Sequence, residues 1–219
     1  MTTEKPGLRE RKKAKTRLAI SDVATKMFIE RGFDDVTVME VAAAADVSVA
    51  TIFNYFETKE DLFFDREAAV IEAGRRFILE RKAGETITSV LHREFLVAID
   101  AGLPQLMVHG ASFLRTIEGS PALRARMRLG FEKTEAALAE TIAEETAALA
   151  GDPTPQIAAA MLVSIQRMLL ESAFAAVLRG DAVVPTKRKL RQACDRAFAL
   201  LERGLRGYGK KNAASRGSR

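Results

Sequence analysis

The sequence predicts an all-α fold in which a small N-terminal helical domain precedes a larger helical body. Apolar residues recur at spacings of three and four through most of the chain, and no segment shows the strict apolar–polar alternation of a strand. The run GDPTP at 151–155 is a clear break between two such segments. Hydrophobic residues make up 47% of the 219 residues, enough to form a substantial core.

The first predicted helix runs from Leu8 to Arg31, after a flexible lead at residues 1–7. Gly32 follows it and supplies the left-handed conformation that commonly ends a helix. We expect Phe33 to pack back against the end of the helix. The buried stripe of this helix is predicted to be Ile20, Val23, Ala24, Met27 and Phe28.

A second, shorter helix is predicted to begin after Thr37. Thr37 and Glu40 have the spacing of a capping box, in which the side chain of each residue accepts a hydrogen bond from the backbone N–H of the other. Asp46 comes after this helix, and aspartate is one of the few residues that tolerates a left-handed turn. The apolar face of the helix is Val38, Val41, Ala42 and Ala45.

A third helix is predicted over Val49–Phe56, with Ser48 as its N-cap. Ile52, Tyr55 and Phe56 point inward, which leaves Val49, Ala50, Thr51 and Asn54 outside. Two short helices joined by a tight turn form a helix-turn-helix, whose second helix fits a DNA major groove. The alternative is an ordinary structural helix pair. The small, hydrogen-bonding outer face and the basic residues upstream favour DNA binding over that alternative.

The net charge of +5 is unevenly distributed. Residues 1–17 carry seven Lys or Arg and two Glu, and residues 203–219 carry six Lys or Arg and no acid. The segment between them is therefore acidic overall. A basic arm beside the helix-turn-helix indicates that this end of the molecule binds a polyanion. The tail is predicted to be disordered and solvated.

Residues 8–64 resemble the N-terminal domain of the TetR family of bacterial transcriptional regulators. The segment that carries the resemblance is ERGFDDVTVMEVAAAADVSVATIFNYFETKEDLF. Asp46 stands where the family often has glycine, and Phe53 where it often has tyrosine. The resemblance implies an all-helical homodimer that represses promoters by binding an operator in double-stranded DNA, and that is released by a small-molecule effector.

The resemblance also implies a set of DNA-binding residues. Thr37 and Val38 would meet the DNA backbone at the start of the second helix. Phe53, Tyr55 and Lys59 would lie on phosphates. The bases would be faced by Val49, Ala50, Thr51 and Asn54, with Ser48 at the start of the same helix.

The body is predicted to be helical from residue 60 onward. Thr58 can cap a helix over Glu60–Lys82, which would lead from the DNA-binding domain into the body. The later predicted segments are Thr86–Gly102, a shorter one interrupted by Pro104 and Gly110 and ending near Glu118, Pro121–Ala150, Gln156–Arg179 and Thr186–Arg206. The chain thus divides into a DNA-binding domain at 1–59, a regulatory and dimerisation domain at 60–206 and a tail at 207–219.

The last two helices are the predicted dimer interface. The helix over Gln156–Arg179 is apolar nearly all round, so it needs cover on more than one side. Packing the last two helices against their two-fold mates would form a four-helix bundle. A purely intramolecular core is the alternative. The interface residues predicted from the stripe of the last helix are Leu190, Ala197 and Leu201.

A ligand pocket between helices of the body follows from the resemblance. Such pockets are lined by aromatic and flexible apolar side chains with a few polar anchors. Each candidate in this chain is also compatible with an ordinary core position. The predicted lining is His92, Phe95, Phe113, Phe131, Met161 and Met168.

Catalysis has little support in the sequence, and we expect no enzyme, metal site or cofactor. His92 and Glu94 lack metal-ligand spacing for one helical face, Cys194 lies on an apolar stripe, and no phosphate-binding glycine loop is present. No uninterrupted apolar run of membrane-spanning length and no secretory signal is visible, so a cytoplasmic protein is expected. The other function that remains open is a helical protein-interaction adaptor with a basic arm and no specific DNA site.

Overall fold

The computed structural model describes residues 7–204, and this part of the chain is helical without a strand. The all-α fold predicted from the sequence is therefore confirmed. Residues 1–6 of the basic arm and the tail at 207–219 lie outside the described residues. The α-helices are α1 (Leu8–Arg31), α2 (Val38–Ala44), α3 (Val49–Phe53), α4 (Glu67–Leu79), α5 (Ile87–Gly119), α6 (Pro121–Thr146), α7 (Thr154–Arg179) and α8 (Val183–Gly204), with a 3₁₀ turn at Glu60–Leu62.

Two compact units make up the described chain. The N-terminal unit contains the residues up to Glu67 together with Arg115–Met127. The body unit contains Ala68–Leu114 and the residues from Arg128 onward. The N-terminal unit thus takes in the corner between α5 and α6, which the sequence-based division at residue 59 assigned to the regulatory domain.

Helix α1 has the bounds predicted from the sequence, and its end has the predicted geometry. Gly32 has a φ of 93°, in the left-handed region where a side chain is strained. The chain reverses there, and the Phe33 ring packs on the Phe28 ring with centroids 4.9 Å apart. Phe28 and Ile20 are fully buried, so the inward stripe of α1 forms the core of the N-terminal unit.

The single helix predicted over Glu60–Lys82 is wrong. The structure has a 3₁₀ turn at Glu60–Leu62 and a separate helix α4 that begins at Glu67. The Ser21 hydroxyl donates to the Leu62 carbonyl at 3.1 Å, and the Phe63 ring lies 6.1 Å from the Phe28 ring. Tertiary packing in the N-terminal unit therefore takes up the segment that would otherwise continue the helix.

The interruption predicted at Pro104 and Gly110 is also wrong. Helix α5 runs without a break from Ile87 to Gly119, with Pro104 in its interior. An interior proline removes one helical hydrogen bond and typically costs about 3 kcal/mol. Leu103, which is 4% exposed, belongs to the buried core of the body unit, and this packing holds the helix through the proline.

The remaining helices differ from prediction only at their ends. Helix α6 stops at Thr146 rather than Ala150, and Ala147 has a φ of 51°. Gly180 ends α7 in the left-handed conformation at a φ of 72°. Helix α8 begins at Val183, so Pro185 lies in its first turn, where the missing N–H is harmless.

Helix α7 is the centre of the body unit. Ten of its residues are buried, including Leu162 and Leu169, and it packs along α8 through Cys194 and Phe198. Within residues 7–204, α7 is also the one helix that is long and apolar enough, by length and composition alone, to cross a membrane, although Gln166 and Arg167 interrupt its apolar residues. Buried helices of soluble proteins pass the same test of length and composition. Only 33% of that apolar window is buried, so α7 has an uncovered apolar face.

Candidate nucleic-acid interface and small-molecule cavity

The start of α2 is held by the predicted capping box. The Glu40 backbone N–H donates to the Thr37 hydroxyl at 3.2 Å, and the Thr37 backbone N–H donates to the Glu40 carboxylate at 2.8 Å. Arg31 also donates to this carboxylate, at 2.7 Å. The Thr37 N–H first, and then Arg31, lower the pKa of Glu40 from 4.5 to about 2. Glu40 is therefore ionised at any physiological pH, and α2 has a fixed orientation.

The turn between α2 and α3 closes as the sequence predicts. Asp46 has a φ of 53°, the left-handed conformation in which the family often has glycine. The Val47 N–H donates to the Ala42 carbonyl at 3.0 Å, which joins the turn to the last turn of α2. Asp46 thus adopts the left-handed conformation that glycine would otherwise provide at this turn.

Helix α3 is short and N-capped. The Thr51 N–H donates to the Ser48 hydroxyl at 3.0 Å, and the two hydroxyls lie 2.8 Å apart. Ile52, at 1% exposure, anchors the inner face. The helix ends at Phe53, three residues before the predicted end at Phe56, and Phe56 is buried as expected, at 2% exposure.

The side chains predicted to face DNA are largely accessible. Thr37, Ser48, Ala50, Phe53 and Asn54 are exposed; Val38, Val49, Thr51, Tyr55 and Lys59 are half-buried. The surface that these ten residues form is called the reading surface below. The prediction missed Met39, which is 70% exposed on α2. Its position two residues before the buried Val41, on the other side of the helix from that side chain, was the available signal.

Two cations beside the reading surface have partners inside the protein. The Lys59 ammonium donates to the Phe33 carbonyl at 2.5 Å and lies 4.2 Å from the centre of the Phe33 ring. The Arg17 guanidinium donates to the Tyr55 carbonyl and lies 4.2 Å from the Phe56 ring centre. Both side chains hold α1 and the segment after α3 in place, whereas the sequence predicted that Lys59 would lie on phosphate.

Within the N-terminal unit, Arg126 of α6 binds two carboxylates. It donates to Asp61 at 2.8 and 3.0 Å and to Glu67 at 2.6 and 2.7 Å. Its side chain is 10% exposed. Burial raises the pKa of Asp61, but hydrogen bonds from Thr58 and Arg126 outweigh this and lower it. The same carboxylates raise the pKa of Arg126. We call this group, Arg126 with Asp61 and Glu67, the Arg126 clamp.

The body unit contains a cavity of about 450 Å³. Helices α4 to α8 all contribute to its wall. Volumes of about 300–1,000 Å³ are typical of sites for small organic ligands. The lining is Val70, Ala73, Gly74, Phe77, Leu91, Glu94, Phe95, Ala98, Ile99, Gly102, Leu103, Leu106, Thr134, Leu138, Gln166, Leu169, Leu170, Ala173, Phe174 and Leu190.

Phe95 is the one residue of the predicted pocket that lines this cavity; Phe113 and Phe131 are half-buried elsewhere. His92 instead stacks on Phe198 at 4.7 Å between ring centres, and its Nε2 lies 2.8 Å from Asp195. Met161 and Met168 are 38% and 36% exposed on the outside of α7. The other five predicted lining residues thus belong elsewhere, because residue type does not reveal which helical face points inward.

The predicted dimer residues need a similar correction. Leu190 and Leu201 are only 4% and 3% exposed in the single chain, so they have almost no surface left to offer a partner. Ala197 is half-buried and packs on the same core. The exposed apolar side chains of the last two helices are instead Ile157, Met161, Met168, Leu178, Val184 and Leu200.

Comparison with known proteins gives matches over both units. The pattern described as "Bacterial regulatory proteins, tetR family" matches residues 20–65, and the pattern described as "MftR C-terminal domain" matches residues 93–206. The chain is similar to the HTH-type transcriptional regulator TcmR of Streptomyces glaucescens, with 28% identity over 180 residues, 77% of each chain.

Solved structures with the same fold include two regulators. One is a putative TetR-family transcriptional regulator from Mesorhizobium loti MAFF303099, with a TM-score of 0.50 and 23% identity over 87% of this chain and 96% of that one. The other is NalD of Pseudomonas aeruginosa, the secondary repressor of the MexAB-OprM multidrug efflux pump, with a TM-score of 0.55 and 20% identity over 85% and 96%. Likeness at these identities supports the fold.

Proposed function

Because this chain belongs to the TetR family of bacterial transcriptional regulators, we propose that it is a homodimeric repressor that binds a palindromic operator and is released by a small molecule. The observation that carries the proposal is the capped helix-turn-helix. Both of its helices begin at a side-chain cap, and Asp46 closes the turn between them. The protein would act in the cytoplasm, where its operator is.

Base readout falls to the exposed side chains of α3 and its C-cap. An asparagine amide can bond adenine in the major groove, and Asn54 is exposed at the end of α3. The Ala50 methyl, the Thr51 methyl and the Phe53 ring suit the thymine methyl group. No Lys or Arg lies between Val49 and Phe53 to read guanine. These side chains favour A·T pairs at the centre of each half-site.

Phosphate contacts fall to other groups. Thr37 and Val38 lie at the N-terminus of α2; because the Thr37 N–H and hydroxyl already donate to Glu40, the phosphate contact there would fall to the Val38 N–H. Tyr55 is half-buried beside the reading surface and can present its hydroxyl. Lys59 and Arg17 already have internal partners, so the exposed basic residues of α1 supply most of the positive charge. These are Arg9, Arg11, Lys12, Lys13 and Lys15.

The uncovered face of α7 is the proposed dimer interface. Ile157, Met161, Ser164 and Met168 are all exposed and follow one another at spacings of four, three and four, so they form one stripe along the helix. A two-fold axis would place the stripe against its own copy, and two helices from each chain would form a four-helix bundle. A two-fold dimer in turn requires a palindromic operator.

Ligand release would act through α4 and α6. Glu67 begins α4 and Arg126 lies near the start of α6, and the two are bonded in the N-terminal unit. Further along the same helices, Gly74 and Leu138 both line the cavity, and a Cβ on Gly74 would lie 3.6 Å from Leu138. A ligand that separates the two helices at the cavity would therefore strain the Arg126 clamp.

An electrophoretic shift with DNA flanking the gene of this protein tests the proposal. We expect a sharp shift that survives scrambled competitor DNA, and footprinting should protect two half-sites about 10 base pairs apart or a multiple of this. Uniform weak binding seen only at low salt would contradict the repressor and favour a protein-interaction adaptor with a basic arm. Retention of the shifted band in the presence of a ligand shown to bind the cavity would contradict release.

A further inference from the structure

We propose that the cavity of the body unit takes a lipophilic cation, such as a tertiary or quaternary amine with a bulky apolar framework. The inference rests on the proposed ligand-responsive function and names the chemical class of its ligand. It follows from three features of the cavity, namely its apolar wall, the one charged side chain among its described lining residues and the incomplete neutralisation of that charge.

The wall is almost entirely apolar. Seventeen of the twenty lining residues are aliphatic, glycine or phenylalanine. The three phenylalanines, Phe77, Phe95 and Phe174, come from α4, α5 and α7, so aromatic rings contribute from three of the helices around the cavity. Burial of apolar surface is the main source of affinity for such a site. Aromatic rings add attraction for a cation that reaches their faces.

Glu94 is the one charged residue among the lining residues that the structure describes, and none of these is a Lys, Arg or His. An anionic ligand would therefore meet a carboxylate and no cation, which is unfavourable in an apolar site. A neutral ligand would leave the carboxylate facing apolar atoms. A cation within the cavity satisfies Glu94 and avoids both costs.

Arg93 neutralises Glu94 only in part. The Arg93 guanidinium donates to Glu94 at 3.1 Å, but it also donates to Glu85 at 2.5 Å. One positive charge is thus shared by two carboxylates, and the shorter bond goes to the one outside the cavity wall. The Arg93 side chain is 49% exposed, so water screens it, whereas the Glu94 side chain is only 21% exposed. Lys82 also acts on Glu85, so the surplus charge is not spread over the whole group; within the cavity wall, Glu94 has only its share of the Arg93 charge as a partner.

The two neutral polar residues of the wall, Thr134 and Gln166, provide further hydrogen-bonding groups. The Thr134 hydroxyl donates to the Gly130 carbonyl at 2.8 Å, so toward the cavity it offers an acceptor lone pair. Gln166 offers both a donor and an acceptor. Glu94 and Thr134 therefore accept hydrogen bonds, and Gln166 alone can donate one to the ligand. The acceptor oxygens suit a positively charged ligand, and a protonated tertiary amine can in addition donate a hydrogen bond to them.

Calorimetric titration of the purified full-length protein with two ions of the same shape and opposite charge tests the inference. Tetraphenylphosphonium and tetraphenylborate are both four phenyl rings around one charged atom. We expect tetraphenylphosphonium to bind at least tenfold more tightly than tetraphenylborate. Equal affinities, tighter binding of the borate, or no binding of the phosphonium would each overturn the inference.

Variants at Glu94 locate the effect. Glu94→Gln keeps the size and removes the charge, so phosphonium affinity should fall at least tenfold. Glu94→Asp keeps the charge and should stay within about fivefold of the wild type, which separates loss of charge from damage to the fold. Glu132→Gln removes a charge from an exposed position of α6 outside the cavity wall and should change nothing. Unaltered phosphonium binding by Glu94→Gln would refute the role of Glu94.

Failure of this inference is distinguishable from failure of the proposed function. The same titration repeated on the operator complex reports whether bound DNA weakens phosphonium binding. Glu94-dependent binding that DNA leaves unchanged would support the cation site and contradict ligand release. Operator binding that is intact while the phosphonium fails to bind would overturn the cation site and leave the DNA-binding function standing.

Discussion

Replacing Arg126 by methionine should destabilise the protein through the Arg126 clamp. Methionine retains much of the apolar stem and removes the guanidinium, so Asp61 and Glu67 lose the four hydrogen bonds that they accept. Removing one partner of a buried ion pair costs about 3–5 kcal/mol. The two carboxylates are each 19% exposed and can take up water in the variant, which places the expected loss at about 2–3 kcal/mol.

The assay is urea unfolding followed by circular dichroism, at equal protein concentration for all variants. For a chain of this size, a loss of 2–3 kcal/mol corresponds to a fall in melting temperature of about 4–12 °C. Arg128→Met is the matched control, because Arg128 lies on the same helix and is exposed. We expect the control to stay within about 0.5 kcal/mol of the wild type.

The pH dependence follows from Asp61. Its pKa lies below the ordinary value of 3.8 in the folded protein, so its ionised form stabilises the fold above pH 3.8. That contribution is lost as the pH falls through the lowered pKa. The difference in unfolding free energy between wild type and Arg126→Met should therefore be full at pH 7 and narrow below pH 3.8. An Arg126→Met protein as stable as the Arg128→Met control at pH 7 would refute the reasoning.

Three further predictions address the interface, the dimer and the fold. Asn54→Ala should weaken operator binding by about 1–3 kcal/mol and leave binding to scrambled DNA unchanged in fluorescence anisotropy; equal loss on both DNAs would assign Asn54 to phosphate. Met161→Glu should give monomers in sedimentation, whereas Arg167→Glu, on the same helix but off the apolar stripe, should remain dimeric. Gly102→Ala should raise stability by about 0.5–1 kcal/mol in urea unfolding, because a Cβ at this helical position meets nothing within 4 Å; destabilisation would contradict that geometry.

Local chemistry made most of the helix ends predictable. Gly32 and Gly180 end α1 and α7 at positive φ, and Thr37 and Ser48 cap α2 and α3 with the hydrogen bonds that their spacing predicts. These signals depend on residues within a few positions of each other. The break before α4 could not be predicted in this way, because it depends on contacts of Leu62 and Phe63 with residues some forty positions earlier.

In the candidate sites, too, features set by local sequence could be predicted, and features set by distant contacts could not. The accessible face of α3 could be predicted from helical periodicity, because the inward positions Ile52 and Phe56 leave Ala50, Phe53 and Asn54 outside. The partners of Lys59 could not, because its ammonium reaches a carbonyl 26 residues away, at the turn after α1. The residues of the cavity wall could not be predicted from the sequence either. Phe95 and Phe131 are chemically alike, and only the packing of five helices makes one of them a wall residue.

The Arg126 clamp limits how a ligand can act on the reading surface. A conformational change needs a free-energy difference between two states, and a ligand supplies only its differential affinity for them. If the clamp stays closed in both states, α4 and α6 move together at their N-terminal ends. If the clamp opens in one state, the ligand must also offset the loss of its hydrogen bonds, which is about 2–3 kcal/mol. That sum is near the upper end of usual coupling free energies of about 1–3 kcal/mol. A clamp that stays closed therefore requires less differential affinity of the ligand than a clamp that opens.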